Sequence, residues 1–433
     1  MVMGHSQLWA PWIIEDIHSK AQLGRYRIRG FSTFQKVTHF DDLVFLSTGL
    51  TRFPLEGYKE KCNTRTIIGK RFAKEPLVLE TPIYISGMSY GALSRNAKVA
   101  LGKGASKVGT ATCTGDGGML PDEREASKKL IYQVLPSRYG YNPHHLMQAD
   151  AIEVVVGQGA KPGTGGLLMG VKVRDNIAEM RDLPLGIDQR SPTRHPDWLG
   201  PDDLAVKIEQ LREATDWRVP VHIKLGACRV KDDVKLAAKV GADAIVIDGM
   251  QAGSGASAEV LFDHSGIPTV PAIVLAREAL RELGLYGEVS LIISGGIRSG
   301  ADAAKALALG ADAVAIGIAA LIALNCNKEI PESDFEKEMG VKAGYCSHCH
   351  TGKCPVGITT QDPELEKRLD PDEGGERVAN FINSMTMEMA LLTRSLGKGD
   401  VHSLEPEDMA ALTIEASAMA RVPLVGTDKI FGI

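Results

Sequence analysis

Leu236-Ala-Ala-Lys-Val-Gly-Ala-Asp-Ala-Ile-Val-Ile-Asp248 and Lys305-Ala-Leu-Ala-Leu-Gly-Ala-Asp-Ala-Val-Ala-Ile-Gly317 read as two copies of one unit. Each is the end of a helix, a Gly-Ala-Asp turn and a short strand without a polar side chain. A strand that is apolar at every position is buried on both faces, the condition of a parallel sheet covered by helices. Further runs of this kind lie at Ile83-Tyr84-Ile85, Val108-Gly-Thr-Ala-Thr112, Glu153-Val-Val-Val156, Pro220-Val-His-Ile-Lys224 and Ser290-Leu-Ile-Ile293. A short one near Gly186-Ile187 brings the expected number to about eight, most with a helical stretch after them. Repeated strand–helix units of that number predict an α/β fold, a (β/α)8 TIM barrel. A doubly wound open sheet is the rival, and the lack of Gly-x-Gly-x-x-Gly after the first strand speaks for the barrel.

The expected organisation follows. Residues 1–77 mix aromatic and basic side chains without a sustained period and read as an N-terminal arm and small layer. Residues 78–325 carry the barrel, 326–362 a cysteine loop, and 363–433 a C-terminal helical extension with a helix from Arg377 to Ser395. The chain has 433 residues, 44% hydrophobic and 24% charged, with a net charge of −5. That composition excludes a disordered or fibrous chain, and no basic stripe points to nucleic acid. The apolar run from Ala313 to Leu324 is too short to span a bilayer, and no signal peptide is recognisable, so a cytoplasmic location with no membrane contact is expected. There are 46 glycines, where a usual share of about 7% would give about 30. They cluster after the apolar runs, where backbone turns tightly or approaches a ligand.

Those clusters are the candidate site. Ser294-Gly295-Gly296-Ile297-Arg298-Ser299-Gly300 and Ile316-Gly317-Ile318-Ala319 follow the last two strands, the usual place for a phosphate in a barrel. Met88-Ser89-Tyr90-Gly91 closes the first strand and offers small and hydroxyl groups to a flat ring, although for this stretch alone a plain helix cap at Ser89 is the stronger reading. Lys161 stands in the glycine-rich loop 159–166, a mobile cation for an anionic substrate. Lys224 ends an apolar strand, where a buried ammonium needs an anion or an electron-rich ring. The loop containing Gly253, Ser254 and Gly255 brings backbone close to a ligand. Of seven cysteines, Cys326, Cys346, Cys349 and Cys354 lie within one short segment. The spacing Cys-x2-Cys-x4-Cys-Pro suits an iron–sulfur cluster, and zinc completed by His348 or His350 remains the alternative.

Taken in order, these motifs resemble the FMN and iron–sulfur domain of glutamate synthases, over about residues 78–400. The matching stretches are Met-Ser-x-Gly-Ala-Leu-Ser at 88–94, Gln-Gly-Ala-Lys-Pro-Gly-x-Gly-Gly at 158–166, Gly-x-Gly-Ala-Ser at 253–257, Gly-Gly-Ile-Arg-Ser-Gly at 295–300, and Cys349 to Gln361. The resemblance implies FMN on the C-terminal face of the barrel, beside an iron–sulfur cluster. It implies reduction of a 2-imino acid, made from 2-oxoglutarate and an amine, by hydride from the flavin. Carried over residue by residue, it makes Lys161 and Arg181 the holders of substrate carboxylates and Asp116, in Cys113-Thr-Gly-Asp-Gly-Gly118, the proton-handling acid. Met88, Ser89, Tyr90, Lys224, Gly253, Ser254, Gly255, Gly295, Gly296, Arg298 and Gly317 are implied to contact the flavin, with Lys224 facing negative charge on its reduced form. Three cysteines would hold the family's 3Fe–4S cluster, while Cys326, Cys346, Cys349 and Cys354 together could hold 4Fe–4S.

Two departures bear on the substrate. A lysine and a glutamine of the family pattern fall on Val155 and Leu167, both apolar. The layout, with Gly186-Ile-Asp-Gln-Arg-Ser191 and Arg194-His-Pro-Asp-Trp198, resembles the large subunits of N-methylglutamate synthases. That resemblance makes methylamine the expected amine, with glutamate formation from ammonia as the alternative. The family's glutaminase domain and glycine-repeat β-helix are not found in this sequence. The resemblance therefore implies a hetero-oligomer with a glutaminase-like amidotransferase subunit and a glycine-repeat β-helix subunit.

Overall fold

The computed structural model describes residues 8–328, 337, 339–342 and 344–432. Eight parallel strands form the centre: β1 Ile83–Ile85, β2 Thr112–Cys113, β3 Leu130–Val134, β4 Ala151–Val155, β5 Val221–Gly226, β6 Ala244–Asp248, β7 Ser290–Ser294 and β8 Ala313–Ile316. They pair in the order β1-β8-β7-β6-β5-β4-β3-β2. The seam between β1 and β2 is joined by the amide of Ile85, which donates to the Ala111 carbonyl at 3.0 Å, and by the Thr110 hydroxyl, which donates to the Ile83 carbonyl at 2.5 Å. The ring is thus the expected (β/α)8 barrel.

Alternation along each strand separates two cores. Tyr84, Cys113, Ile131, Ala151, Val246, Ile292 and Ala315 pack together inside the ring. Their neighbours of opposite parity, such as Ile83, Leu130, Ile152, Ile223, Ile245 and Ile293, face the surrounding helices in a second cluster. These helices include α1 Arg95–Val108, α2 Pro201–Ala214, α3 Val230–Lys239, α4 Thr269–Glu282, α5 Gly300–Leu309 and α6 Ile318–Ala323. A further helix, α7 Pro371–Ser395, lies against α1 so closely that a Cβ on Gly104 would meet Val378 side-chain atoms at 2.8 Å. It begins at Pro371 rather than Arg377, because the Asp370 carboxylate caps the amides of Asp372 and Glu373.

Two strands differ from the sequence expectation. The third barrel strand is Leu130–Val134, buried at every position, and nothing near Gly186-Ile187 joins the barrel. Gly186 adopts φ +70 and Ile187 is exposed, so that stretch is a turn leading into Gln189–Arg190, which pairs with Leu167–Leu168. Val108 closes α1 instead of opening a strand: Gly109, at φ +78, caps the helix, and β2 starts at Thr112.

The N-terminal part does more than trail. A hairpin of Thr66–Ile68 with Leu77–Leu79 lies at the start of the barrel strands, where Gly69 meets Pro220 and Asp243. Strand Ile28–Phe31 pairs with Ser254–Ala258, in the loop after β6. The segment from Phe31 to His39 then runs over the mouth of the barrel. The C-terminal strand Met409–Ala411 pairs with Leu43–Phe45 and ties the tail to the arm.

Candidate functional site

Parity decides the floor of the site. Inward-facing polar residues of β3 to β7 include Gln133, Glu153, Lys224, Asp248 and Ser294, all buried. Buried polar groups need partners, and these satisfy one another. Gln133 donates to Glu153 Oε1 at 2.6 Å, Asp248 accepts from the Gly159 amide at 2.8 Å and from the Ser294 hydroxyl, and Lys224 Nζ reaches Ser86 Oγ at 3.3 Å. Burial works against the Lys224 ammonium, yet Asp248 and Glu153 outweigh it and hold its pKa above the ordinary value. Burial pushes the Glu153 carboxyl up, with Lys224 and Gln133 opposing. The result is a fixed cation set at the bottom of a cavity.

That cavity, about 680 Å³, opens at the C-terminal ends of the strands. It has the size and mixed lining of a cofactor and substrate site. On one wall the glycine-rich loop and the loop after β6 meet where Lys161 Nζ donates to Ser254 Oγ at 3.0 Å. Burial draws Lys161 down to about 8, with Asp116 opposing. Asp116 is held by two hydroxyls, Ser137 at 2.7 Å and Ser191 at 2.9 Å. Arg181, also buried, donates to Gln189 at 2.7 Å, to the Asp116 carbonyl at 3.1 Å and to the Tyr90 carbonyl, while its Nε has no partner. Gly117, at φ +102, allows this approach, since a Cβ there would meet the Arg181 side chain at 2.4 Å. The structure therefore brings Asp116, Lys161 and Arg181 to one cavity, with Arg181 also bracing the acid-bearing turn.

Most of the residues expected to contact a flavin line the same space: Met88, Ser89, Lys224, the 253–255 loop, Gly295, Gly296 and Gly317. Gly295 and Gly296 take φ +103 and +77, which favours glycine, and a Cβ on Gly317 would stand in open space. The cavity thus has glycine backbone at its phosphate end and a cation at its floor, and these residues fit FMN. Two of the expected residues are placed differently. The Tyr90 side chain does not line the cavity; it packs with Leu120, Leu168 and Ile177, and its hydroxyl bonds Asn176. Arg298 borders the cavity but is committed to Asp302 at 3.0 Å and Asp41 at 2.6 Å, which raise its pKa. The start of α5 is closed as well, because the Arg298 amide donates to Asp302 and the Gly300 amide to Glu388.

The four cysteines converge beside this cavity, and Cys326 and Cys349 border it. Burial raises Cys326 and Cys346 and pushes Cys349 up to about 11, with the neighbouring thiols adding to the shift in each case. Such a group of thiols favours a metal that takes the place of their protons. Tetrahedral zinc at Zn–S ≈ 2.3 Å would set sulfurs about 3.8 Å apart. Among the described residues, the only His, Cys, Asp or Glu trio with ligand atoms all within 4.8 Å is His39, Asp41 and Asp302, so no three thiols reach that spacing. The arm fastens this loop: the Gly30 amide donates to the Ser347 carbonyl at 2.9 Å, and a Cβ on Gly30 would lie 2.7 Å from Cys349 Cβ.

Sequence reasoning did not find Gln133, Glu153, Asp248, Lys172 or the roof from Phe31 to His39. The first three carried a signal, a polar residue at an inward position of a buried strand. Lys172 and the roof carried none, because the contacts that place them come from distant segments.

Comparison with known proteins agrees with this geometry. Residues 35–399 match the family model described as a conserved region in glutamate synthase. The chain is 56% identical over 422 residues to a glutamate synthase large subunit-like protein of Rhizobium meliloti, covering 98% of this chain and 95% of that one. It is 39% identical to an archaeal glutamate synthase (NADPH) of Methanocaldococcus jannaschii, covering 92% and 80%. Among solved structures it is similar in fold to a flavocytochrome b2 double mutant with sulfite bound, at TM-score 0.54 and 16% identity, covering 93% and 84%. A mandelate oxidase mutant with a monooxide FMN adduct gives TM-score 0.51 and 16% identity, covering 84% and 87%.

Proposed function

This chain belongs to the glutamate synthase family, and from that premise we propose that it binds FMN and an iron–sulfur cluster and reduces 2-iminoglutarate, formed from 2-oxoglutarate and ammonia, to glutamate. The observation that carries the reading is the meeting of three things at one barrel mouth. These are a buried cation on the floor, an acid with two cations on the wall, and a thiol cluster at the border.

FMN supplies hydride to the imine carbon when bound. The chain's own residues do the rest. Lys161, protonated below about pH 8, and the Arg181 guanidinium hold the two carboxylates of 2-oxoglutarate. Asp116, oriented by Ser137 and Ser191, takes a proton from the entering amine and returns it to the departing water as the imine forms. Lys224, kept charged by Asp248 and Glu153, would oppose negative charge on a reduced ring system bound in this cavity. Ammonia would reach the site from a glutaminase-like partner subunit, with a glycine-repeat β-helix subunit in the same hetero-oligomer. The test is to incubate purified protein with 2-oxoglutarate, ammonium and a chemical reductant and to follow glutamate by mass spectrometry. Absence of glutamate from protein that contains FMN and iron sinks the reading.

One observation favours methylamine as the amine, giving N-methylglutamate: Leu167, an apolar side chain, lines the same cavity as Asp116 and Arg181. A methyl group placed on it contributes about 0.8 kcal/mol, a bias of roughly fourfold. Equimolar ammonium and methylamine in one reaction decide the matter by the product ratio. Glutamate alone removes the methylamine reading.

A further inference from the structure

The described buried lysines include Lys98, Lys161, Lys172, Lys224 and Lys398. Four of them face a carboxylate. Lys98 pairs with Glu123, Lys398 with Asp408 and Glu405, Lys224 is flanked by Asp248 and Glu153, and Lys161 feels Asp116. Lys172 is the exception. It is 1% exposed, forms no ion pair among the described residues, and the charged or ionisable groups acting on it are the thiols of Cys349 and Cys354 and the guanidinium of Arg181. Its ammonium donates to two neutral acceptors, the carbonyls of Ala92 at 2.7 Å and of Cys349 at 3.2 Å. A buried ammonium with only neutral partners is costly unless an anion stands nearby. The thiols are the groups that become that anion when they hold iron.

The same two bonds have a mechanical consequence. Ala92 lies in the loop after β1, which lines the flavin cavity, and Cys349 lies in the cysteine loop. Lys172 joins them from the short turn Gly170–Lys172, just beyond the glycine-rich substrate loop. Its stem packs near Gly352, where a Cβ would lie 3.3 Å from Lys172 Cγ.

We propose that Lys172 is a positioning residue for the cluster, its ammonium serving as counter-charge to the iron-bound thiolates and fixing the potential at which the cluster accepts an electron. The proposal rests on the reading of the four cysteines as iron–sulfur ligands. A fixed positive charge beside the cluster favours its reduced, more negative form, so removal makes reduction harder.

The experiment uses the full chain purified without oxygen, as wild type, Lys172→Met and Lys172→Arg. Iron and sulfide are counted, the cluster potential is titrated by electron paramagnetic resonance, and the flavin potential is titrated by absorbance. The expected result is a more negative cluster potential in Lys172→Met, a near wild-type value in Lys172→Arg, and an unmoved flavin potential. Iron lost from the Met variant but kept by the Arg variant also supports the proposal. Three results overturn it: an unchanged cluster potential in Lys172→Met, a shift that falls on the flavin instead, or an Arg variant that behaves like the Met variant. Wild-type protein without iron would refute the cluster reading itself, and the proposal with it, before any variant is compared.

Discussion

Replacing Lys161 with Met is expected to stabilise the protein while removing its function. Burial lowers the Lys161 pKa from 10.5 to about 8, and the side chain is 7% exposed. Below pH 8 the folded protein must hold a charge that the unfolded chain holds more easily. The interval between 10.5 and about 8, at 1.36 kcal/mol per pH unit, amounts to ~3 kcal/mol of instability. Met keeps most of the packing and loses the bond to Ser254, worth about 1 kcal/mol. Ser254 keeps a second bond of its own, to the Ala256 carbonyl at 3.2 Å. The net expectation at pH 7 is a variant more stable by ~2 kcal/mol. The sign with pH follows from the depressed lysine. The penalty is complete below the folded value near 8, fades as pH rises from 8 to 10.5, and is gone once the unfolded lysine is also neutral. Urea unfolding of both proteins, without ligands, at pH 7 and near pH 10 measures the difference. All other titrating groups are shared, so the pH dependence of the gap belongs to Lys161. A variant less stable than wild type at pH 7, or a gap that does not change with pH, refutes the reasoning. Affinity for 2-oxoglutarate should fall sharply in the same variant, as expected where stability is given up for a binding site.

Three other substitutions test different parts of the site. Lys224→Met leaves Glu153 and Asp248 as buried carboxylates without their cation and should cost about 3–5 kcal/mol in urea unfolding. The loss should shrink as pH is lowered, because burial already holds the Glu153 pKa high and protonation removes the stranded charge. Gly317→Val adds side-chain atoms where the wall is open, so stability without ligand should change by less than about 0.5 kcal/mol. Fluorescence titration should show FMN binding weakened by about tenfold, the value of one lost bond to a charged phosphate. Gly30→Ala sets a methyl group 2.7 Å from Cys349 Cβ and 2.8 Å from the Gly255 carbonyl, so the arm must shift. Iron per chain should fall, as measured by colorimetric iron analysis, and an unchanged iron content would separate the arm from the cluster.

What the sequence disclosed and what it withheld have separate physical causes. The helix–turn–strand repeat at 236–248 and 305–317 was legible because a strand buried on both faces favours apolar residues throughout. The glycine loops were legible because left-handed backbone and close approach restrict residue choice at Gly295, Gly296 and Gly117. The strand Leu130–Val134 was missed because Gln133, a floor residue, interrupts its apolar run and makes it read like a surface segment. Chemistry concealed the fold at that position. The converse holds for Tyr90, which stands inside a functional motif yet serves a satellite core: its neighbours in the chain belong to the site, but its ring turned to Leu120, Leu168 and Ile177. Motif membership therefore marks a loop as functional without fixing which of its side chains face the cavity. Parity supplies the missing rule for the floor, since in a barrel only inward positions toward the C-terminal ends of the strands approach the mouth. Applied to β3 through β7, that rule brings forward the inward polar residues Gln133, Glu153, Lys224, Asp248 and Ser294, with Val155 and Gly226 standing one inward position beyond Glu153 and Lys224. No such rule reaches Lys172, whose significance lies in having no carboxylate partner among the described residues, a relation between distant segments that only the folded chain contains.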